Sequence, residues 1–170
     1  MLADNKELQI YAPVLPEHYQ AMRVLFREYF ELLYRLPDMD INVDIQNPDA
    51  EMAELETGKY APPSGALLLA TYKGEYAGAV ALRKLTPGIC EMKRLYVHPK
   101  AWGASIGYQL ALAIIQKGRD MGYEKMRLDT HRDLKKAQSI YYSIGFYDIP
   151  SYNNNIVPGA LFMELNLDTA

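Results

Sequence analysis

The chain has 170 residues, 49% of them apolar, and a formal charge of −3. That length and apolar share suit one globular unit with a sizeable core and exclude a disordered chain. The slightly acidic balance argues against nucleic acid as a partner, because phosphate binding draws on basic patches, and the single cysteine, Cys90, rules out an internal disulfide and suits a reducing compartment.

In chain order, the start MLADNKELQI lacks the apolar core of a secretory leader. No apolar run is long enough to span a bilayer, so a cytoplasmic protein without membrane contact is expected. A first strand is predicted over 8–14, stopped by Pro13 and Pro16. Residues 17–35 carry apolar side chains at 22, 25, 26, 29, 32 and 33, the stripe of an amphipathic helix. A second helix is predicted over 47–56, with Asn47 as cap and Pro48 at its first position. The Gly- and Pro-rich stretch 58–65 reads as a loop.

Three strand-like runs follow, 66–73, 75–85 and 88–97, joined at Lys73–Gly74 and Pro87–Gly88, short joins that suit antiparallel hairpins. A helix over 104–121 ends near Gly122, a strand covers 125–131, a helix over 133–144 stops at Gly145, and a last strand covers 160–167. The order is β-αα-βββ-α-β-α-β. The crossover helix between 88–97 and 125–131 implies a parallel pair, and the hairpins imply antiparallel pairs elsewhere. The fold class is α/β (α+β) with a mixed sheet, over one domain spanning 1–170.

Two features of 88–107 point to chemistry. The apolar phase of the strand changes parity, from Cys90 and Met92 to Leu95 and Val97, as one inserted residue near Lys93–Arg94 would produce. A bulge there leaves backbone groups available to a ligand; alternatively, helices cover both faces and no phase need hold. The strand then runs into WGASIG, where the small residues at 103, 104, 105 and 107 let a backbone approach an anion at a helix start. The lysine of a triphosphate-binding loop and a full GxGxxG are both missing, so a pyrophosphate carried without catalytic metal fits better, unless the small residues serve packing alone.

The segment EMKRLYVHPKAWGASIGYQL resembles the acetyl-CoA-binding segment of the GNAT acetyltransferase superfamily, and AQSIYYSIGF resembles the family's AxxLYxxxGF. The element order agrees as well. YAPPSGALLLA, CEMKRLYV, LDT and VPGALFMEL further resemble a small bacterial, uncharacterised branch. The resemblance implies a GNAT fold with about 6–7 strands and about 4 helices. It implies acetyl-CoA as cosubstrate and direct transfer of its acetyl group to a primary amine of a small molecule. Backbone contacts to the cofactor would come from Leu95, Tyr96 and Val97 and from Trp102, Gly103, Ala104, Ser105, Ile106 and Gly107. Trp102 stands where the family has Arg or Gln, and Ser105 where it has the first Gly.

An alkyl amine has a pKa near about 10 and must lose a proton to attack. Glu91, on the strand that would hold the thioester, is the candidate base, or else a salt-bridge partner. The amide of Leu95 is the candidate oxyanion donor, with Val97 holding the pantetheine arm. Tyr141 occupies the family's general-acid position, beside Tyr142; a helical apolar face over Leu134, Ala137, Ile140, Tyr141 and Ile144 is its structural alternative. Leu134 stands where the family often has Asn. Arg83 and Arg94 are candidates for binding a carboxylate on the acceptor, and Tyr60 and Asn155 for walling its pocket. His98 and His131 lack carboxylate spacing, so no metal site is expected. The alternatives are a GNAT-fold acyl-CoA sensor or interaction module without turnover, and an acetylase of protein N-termini or lysines. Edge strands of this fold often pair, which makes a homodimer a candidate assembly.

Overall fold

A computed structural model of the chain describes residues 7–37, 48–154 and 157–168. Strand β1 is Leu8–Tyr11, ending before Pro13, and helix α1 is Pro16–Tyr34. Pro16 opens α1, where a missing N–H costs nothing, and the ring nitrogen Nδ1 of His18 accepts from the Val14 and Leu15 amides at 3.1 and 3.3 Å. Helix α2 is Pro48–Ala53; the expected cap Asn47 lies outside the described residues.

Strands β2 (Ala66–Tyr72), β3 (Glu75–Thr86) and β4 (Ile89–Val97) form the predicted meander. Lys73 and Gly74 both take positive φ, 52° and 80°, which matches the right-handed twist of the strands they join. A 3₁₀ turn at Pro99–Ala101 precedes helix α3 (Ile106–Asp120). Strand β5 is Lys125–His131 and helix α4 is Lys135–Ile144. Gly145, at φ 119°, ends α4 with Phe146 N–H returning to the Tyr141 carbonyl at 3.0 Å. A two-residue strand β6 (Tyr147–Asp148), not read from the sequence, precedes β7 (Ala160–Asn166).

The strands form one seven-stranded sheet in the order β1-β2-β3-β4-β5-β7-β6. Every neighbouring pair is antiparallel except β4 with β5. Side chains such as Leu110, Ile114 and Tyr141 from α3 and α4 pack on one face, against Val80, Met92, Met126 and Met163. Met22, Phe26 and Phe30 of α1 and Met52 of α2 pack on the other, against Leu67, Leu69, Ala79 and Ala81. That second cluster draws its strand residues from β2 and β3. Beyond them, the same face carries charged groups.

Candidate active site

The parallel pairing of β4 and β5 lasts three rungs, Ile89–Lys125, Cys90–Met126 and Glu91–Arg127. Past Glu91 the strands part, because β4 bends. On β3, Ala79 pairs with Tyr96 and Ala81 with Lys93, so Arg94 and Leu95 face Val80 alone. This is the bulge announced by the phase slip, and Arg94 occupies it at φ 62°. Cys90, Met92, Leu95 and Val97 all reach the α3/α4 face despite their change of parity. The bend opens a cleft walled by Met92 and Leu95 on one side, Leu128 and Asp129 on the other, and Tyr29 and Tyr141 above and below.

Backbone groups face this gap. His98 N–H donates to the Ala77 carbonyl at 2.7 Å, and in an antiparallel ladder alternate residues point opposite ways. The N–H and C=O of Val97 therefore point away from β3, toward the parted strand. The turn that follows presents more. Among the described residues, no acceptor takes the amides of residues 103–108, and they lie at the positive end of the fifteen-residue helix α3. A side chain at Gly103, φ 92°, would meet nothing within 4 Å, so the backbone there is open to approach. Gly107 serves packing: a Cβ on it would stand 3.2 Å from Ile140 Cδ1. Ser105 holds the left-handed conformation, φ 59°, and its hydroxyl caps nothing. These orphaned, converging amides suit a pyrophosphate.

Trp102 bridges the end of β4 and the first turn of α4. Its indole Nε1 donates to the Val97 carbonyl at 3.0 Å, and the Lys136 ammonium sits 4.3 Å from its ring centre. Tyr141 is 6% exposed and packs edge-on against Phe146. Its hydroxyl has no hydrogen-bond partner among the described residues. Burial, then the neighbouring Tyr29 and Asp129, hold its pKa well above the usual phenol value, so it stays protonated at neutral pH. Tyr142 points elsewhere, donating to Asp148 at 2.7 Å.

Glu91 is fully buried in the sheet face behind the cleft. Arg83 Nε donates to its Oε1 at 2.8 Å and the Tyr152 hydroxyl to its Oε2 at 2.6 Å. Both oxygens are thus engaged, an arrangement that fits a structural anchor better than a base. Arg94 lines the cleft, but its guanidinium is engaged: it makes two bonds to Glu51 of α2, at 3.0 and 3.1 Å, and stacks on Phe30. Tyr60 is 2% exposed, donates to Glu51 and lines a separate groove beside Pro13 and Pro62. Asn155 lies outside the described residues. Of the charged residues that wall the cleft, Lys93, Arg94 and Asp129, the sequence singles out Arg94 and passes over Lys93 and Asp129; Asp129 lies in the LDT segment, which carries a family likeness alone. No group of three or more His, Cys, Asp or Glu side chains among the described residues is placed to hold a metal. No helix among them is long and apolar enough to cross a membrane.

A mixed sheet split between parallel strands, with a bulged inner strand leading to an amide-rich helix start, defines an acyl-CoA-binding type of fold. Residues 19–146 match the model of the acetyltransferase (GNAT) family, and the chain belongs to that family. An uncharacterized N-acetyltransferase of Schizosaccharomyces pombe is 36% identical over 162 residues, covering 94% of this chain and 95% of that one; the likeness is therefore not confined to bacteria. Among solved structures, a putative acetyltransferase from Salmonella typhimurium with acetyl-CoA superposes with a TM-score of 0.70 at 17% identity, over 97% of this chain and 96% of that one. The PaiA N-acetyltransferase from Thermoplasma acidophilum, in complex with coenzyme A, superposes at 0.69 and 18% identity, over 94% and 98%.

Proposed function

We propose that the protein is an acetyl-CoA-dependent N-acetyltransferase that passes the acetyl group directly to the primary amine of a small molecule. One observation carries the reading: the unpaired amides of 103–108 lead into a cleft where a protonated, unpartnered Tyr141 hydroxyl stands beside the open backbone of β4. The amides of 103–108 hold the pyrophosphate. The Val97 backbone receives the pantetheine arm, and the Leu95 amide, in the bulge, donates to the thioester oxygen, where a fixed dipole stabilises the charge that develops on attack. Tyr141 gives its proton to the departing thiolate.

The reading is supported by family membership and by the coenzyme A and acetyl-CoA complexes of proteins with this fold. A binding module without turnover draws on one feature, the Trp102 indole on the Val97 carbonyl. Thiol release from acetyl-CoA across an amine panel, with wild type and Tyr141→Phe, separates the two. Turnover that collapses in Tyr141→Phe is expected; coenzyme A binding without turnover on any amine would leave the binding module.

A further inference from the structure

The acceptor side of the cleft contains a lysine that makes no hydrogen bond to any of the described residues. Lys93 sits one step before the bulge with its side chain 14% exposed, and its ammonium lies 3.6 Å from Asp129 Oδ1 and 3.8 Å from Glu91 Oε1. Both distances exceed the roughly 2.7–3.2 Å of a formed N–H···O bond. Asp129 lies two residues past the last paired rung of β4 and β5, so the parting of the strands exposes it. Its side chain is 18% exposed and steadied by Asn153 Nδ2 at 3.2 Å. It shares the cleft wall with Tyr141, whereas Glu91 does not reach that wall.

Arg83 and Lys93 face Glu91 and Asp129, two cations against two carboxylates. A bare alkylammonium brought to Asp129 would leave one excess positive charge beside Lys93. An acceptor that carries its own carboxylate offsets that charge and gives the Lys93 ammonium a hydrogen-bond acceptor closer than Asp129 or Glu91.

We propose that Asp129 and Lys93 together form the acceptor subsite, and that the acceptor is a zwitterion, a primary amine bearing a carboxylate, as in an amino acid or a short peptide. This rests on the transferase reading above and names its substrate class. The acceptor ammonium lies on Asp129 and its carboxylate on Lys93. Asp129 takes one ammonium proton and passes it to solvent. The freed lone pair forms the C–N bond at the thioester carbon. The C–S bond then breaks, with the Tyr141 proton going to sulfur, and the second proton from nitrogen restores the Tyr141 phenol. The products are the N-acetyl acid, coenzyme A as the thiol, and one proton.

The test compares α-amino acids, ω-amino acids and dipeptides, each against its own carboxamide, which keeps the size and removes the negative charge. The wild type is expected to favour the acids in kcat/KM by about tenfold or more, the range of a charged hydrogen bond. Lys93→Met should bring the acid-to-amide ratio toward unity, and Lys93→Arg should preserve the preference. Asp129→Asn should lower kcat on both members of a pair by about 10²-fold or more, with coenzyme A affinity by calorimetry unchanged. A wild type that ignores or prefers the missing carboxylate, or a ratio that Lys93→Met leaves untouched, overturns the proposal while the transferase stands. No turnover of any panel member also overturns the proposal; the transferase reading falls with it only if the wider amine panel is silent as well.

Discussion

Tyr141 combines two properties that a core tyrosine rarely shows together. Its ring is buried against Phe146, yet its hydroxyl has no partner among the described residues. Tyr141→Phe therefore removes no internal hydrogen bond, and the unfolding free energy should stay within about 1 kcal/mol of wild type. The rate should not: loss of the proton donor is expected to lower kcat by about 10²-fold. Because burial, Tyr29 and Asp129 all push the phenol upward, Tyr141 remains protonated to at least its ordinary value of about 10. A pH–rate profile should accordingly show no falling limb from this group below that pH. Ser105 offers a second test in the opposite direction. Its left-handed backbone costs a residue with a Cβ roughly 1–2 kcal/mol, and its hydroxyl caps nothing in return. Ser105→Gly relieves that strain, while the looser unfolded chain takes back roughly 0.5–1 kcal/mol. Thermal unfolding should therefore show stability equal to or slightly above wild type. Removing the Cβ from the turn should also tighten coenzyme A binding by calorimetry; weaker binding would mean that the serine hydroxyl is itself a ligand.

The elements are held in register by charge as well as by apolar packing. Arg83, Glu91, Arg127 and Glu164 are successive cross-strand partners on β3, β4, β5 and β7, joined by bonds of 2.8 Å at Arg83–Glu91 and at Arg127–Glu164. This row of alternating sign floors the sheet face where the helical cover stops. A second contact fixes the bulge: Glu51 of α2 receives Arg94 and Lys59. Burial alone would raise the Glu51 carboxyl, but the two cations prevail and lower it from 4.5 to about 2. Its contribution to stability is present above the unfolded value and drains away as pH falls from about 4.5 toward 2, a displacement equivalent to about 3 kcal/mol. Acid unfolding should be steep in that window and flatter in Glu51→Gln. Glu51→Ala, which leaves the Arg94 guanidinium buried without its carboxylate, should cost about 3–5 kcal/mol. Local signals carried much of this architecture into the sequence. The hairpin turns, the Gly145 stop and the parity change from Met92 to Leu95 all depend on neighbouring residues alone. The charge row and the α2 pin do not: Glu51 and Arg94 are 43 positions apart, and Tyr152 reaches Glu91 across 61. No periodicity encodes such pairings. For the same reason the sequence offered Arg83 and Arg94 for an acceptor carboxylate and Glu91 as a base without showing that in the fold Arg83 bonds Glu91 and Arg94 bonds Glu51, and it passed over Lys93 and Asp129, whose proximity exists only where two strands part.

Across the whole molecule, the parted strands divide the fold into a β1–β4 half carrying α3 and a β5–β7 half carrying α4. Trp102 bridges them between the end of β4 and the start of α4. Its indole N–H is bonded to Val97 at the end of β4, and its ring lies under Lys136 in the first turn of α4. On the proposed reading, a pantetheine arm paired with the backbone of β4 would need the same Val97 carbonyl, so the ligand and the indole would compete for one acceptor. Two consequences follow from the competition. Trp102 is the chain's single tryptophan and is 57% exposed, so fluorescence excited at the red edge, where tyrosine does not absorb, reports this bridge alone; titration with coenzyme A should shift its emission as the indole leaves Val97 and the Lys136 charge moves off its ring. Trp102→Phe keeps an aromatic face for Lys136 but has no N–H to give, so the carbonyl stands free before the ligand arrives. Removing a competing hydrogen bond worth about 1 kcal/mol should tighten coenzyme A binding about fivefold. An emission spectrum indifferent to saturating coenzyme A would show that the bridge does not open. Weaker binding in Trp102→Phe, with a spectral shift retained in the wild type, would show instead that the indole moves onto the ligand and holds it.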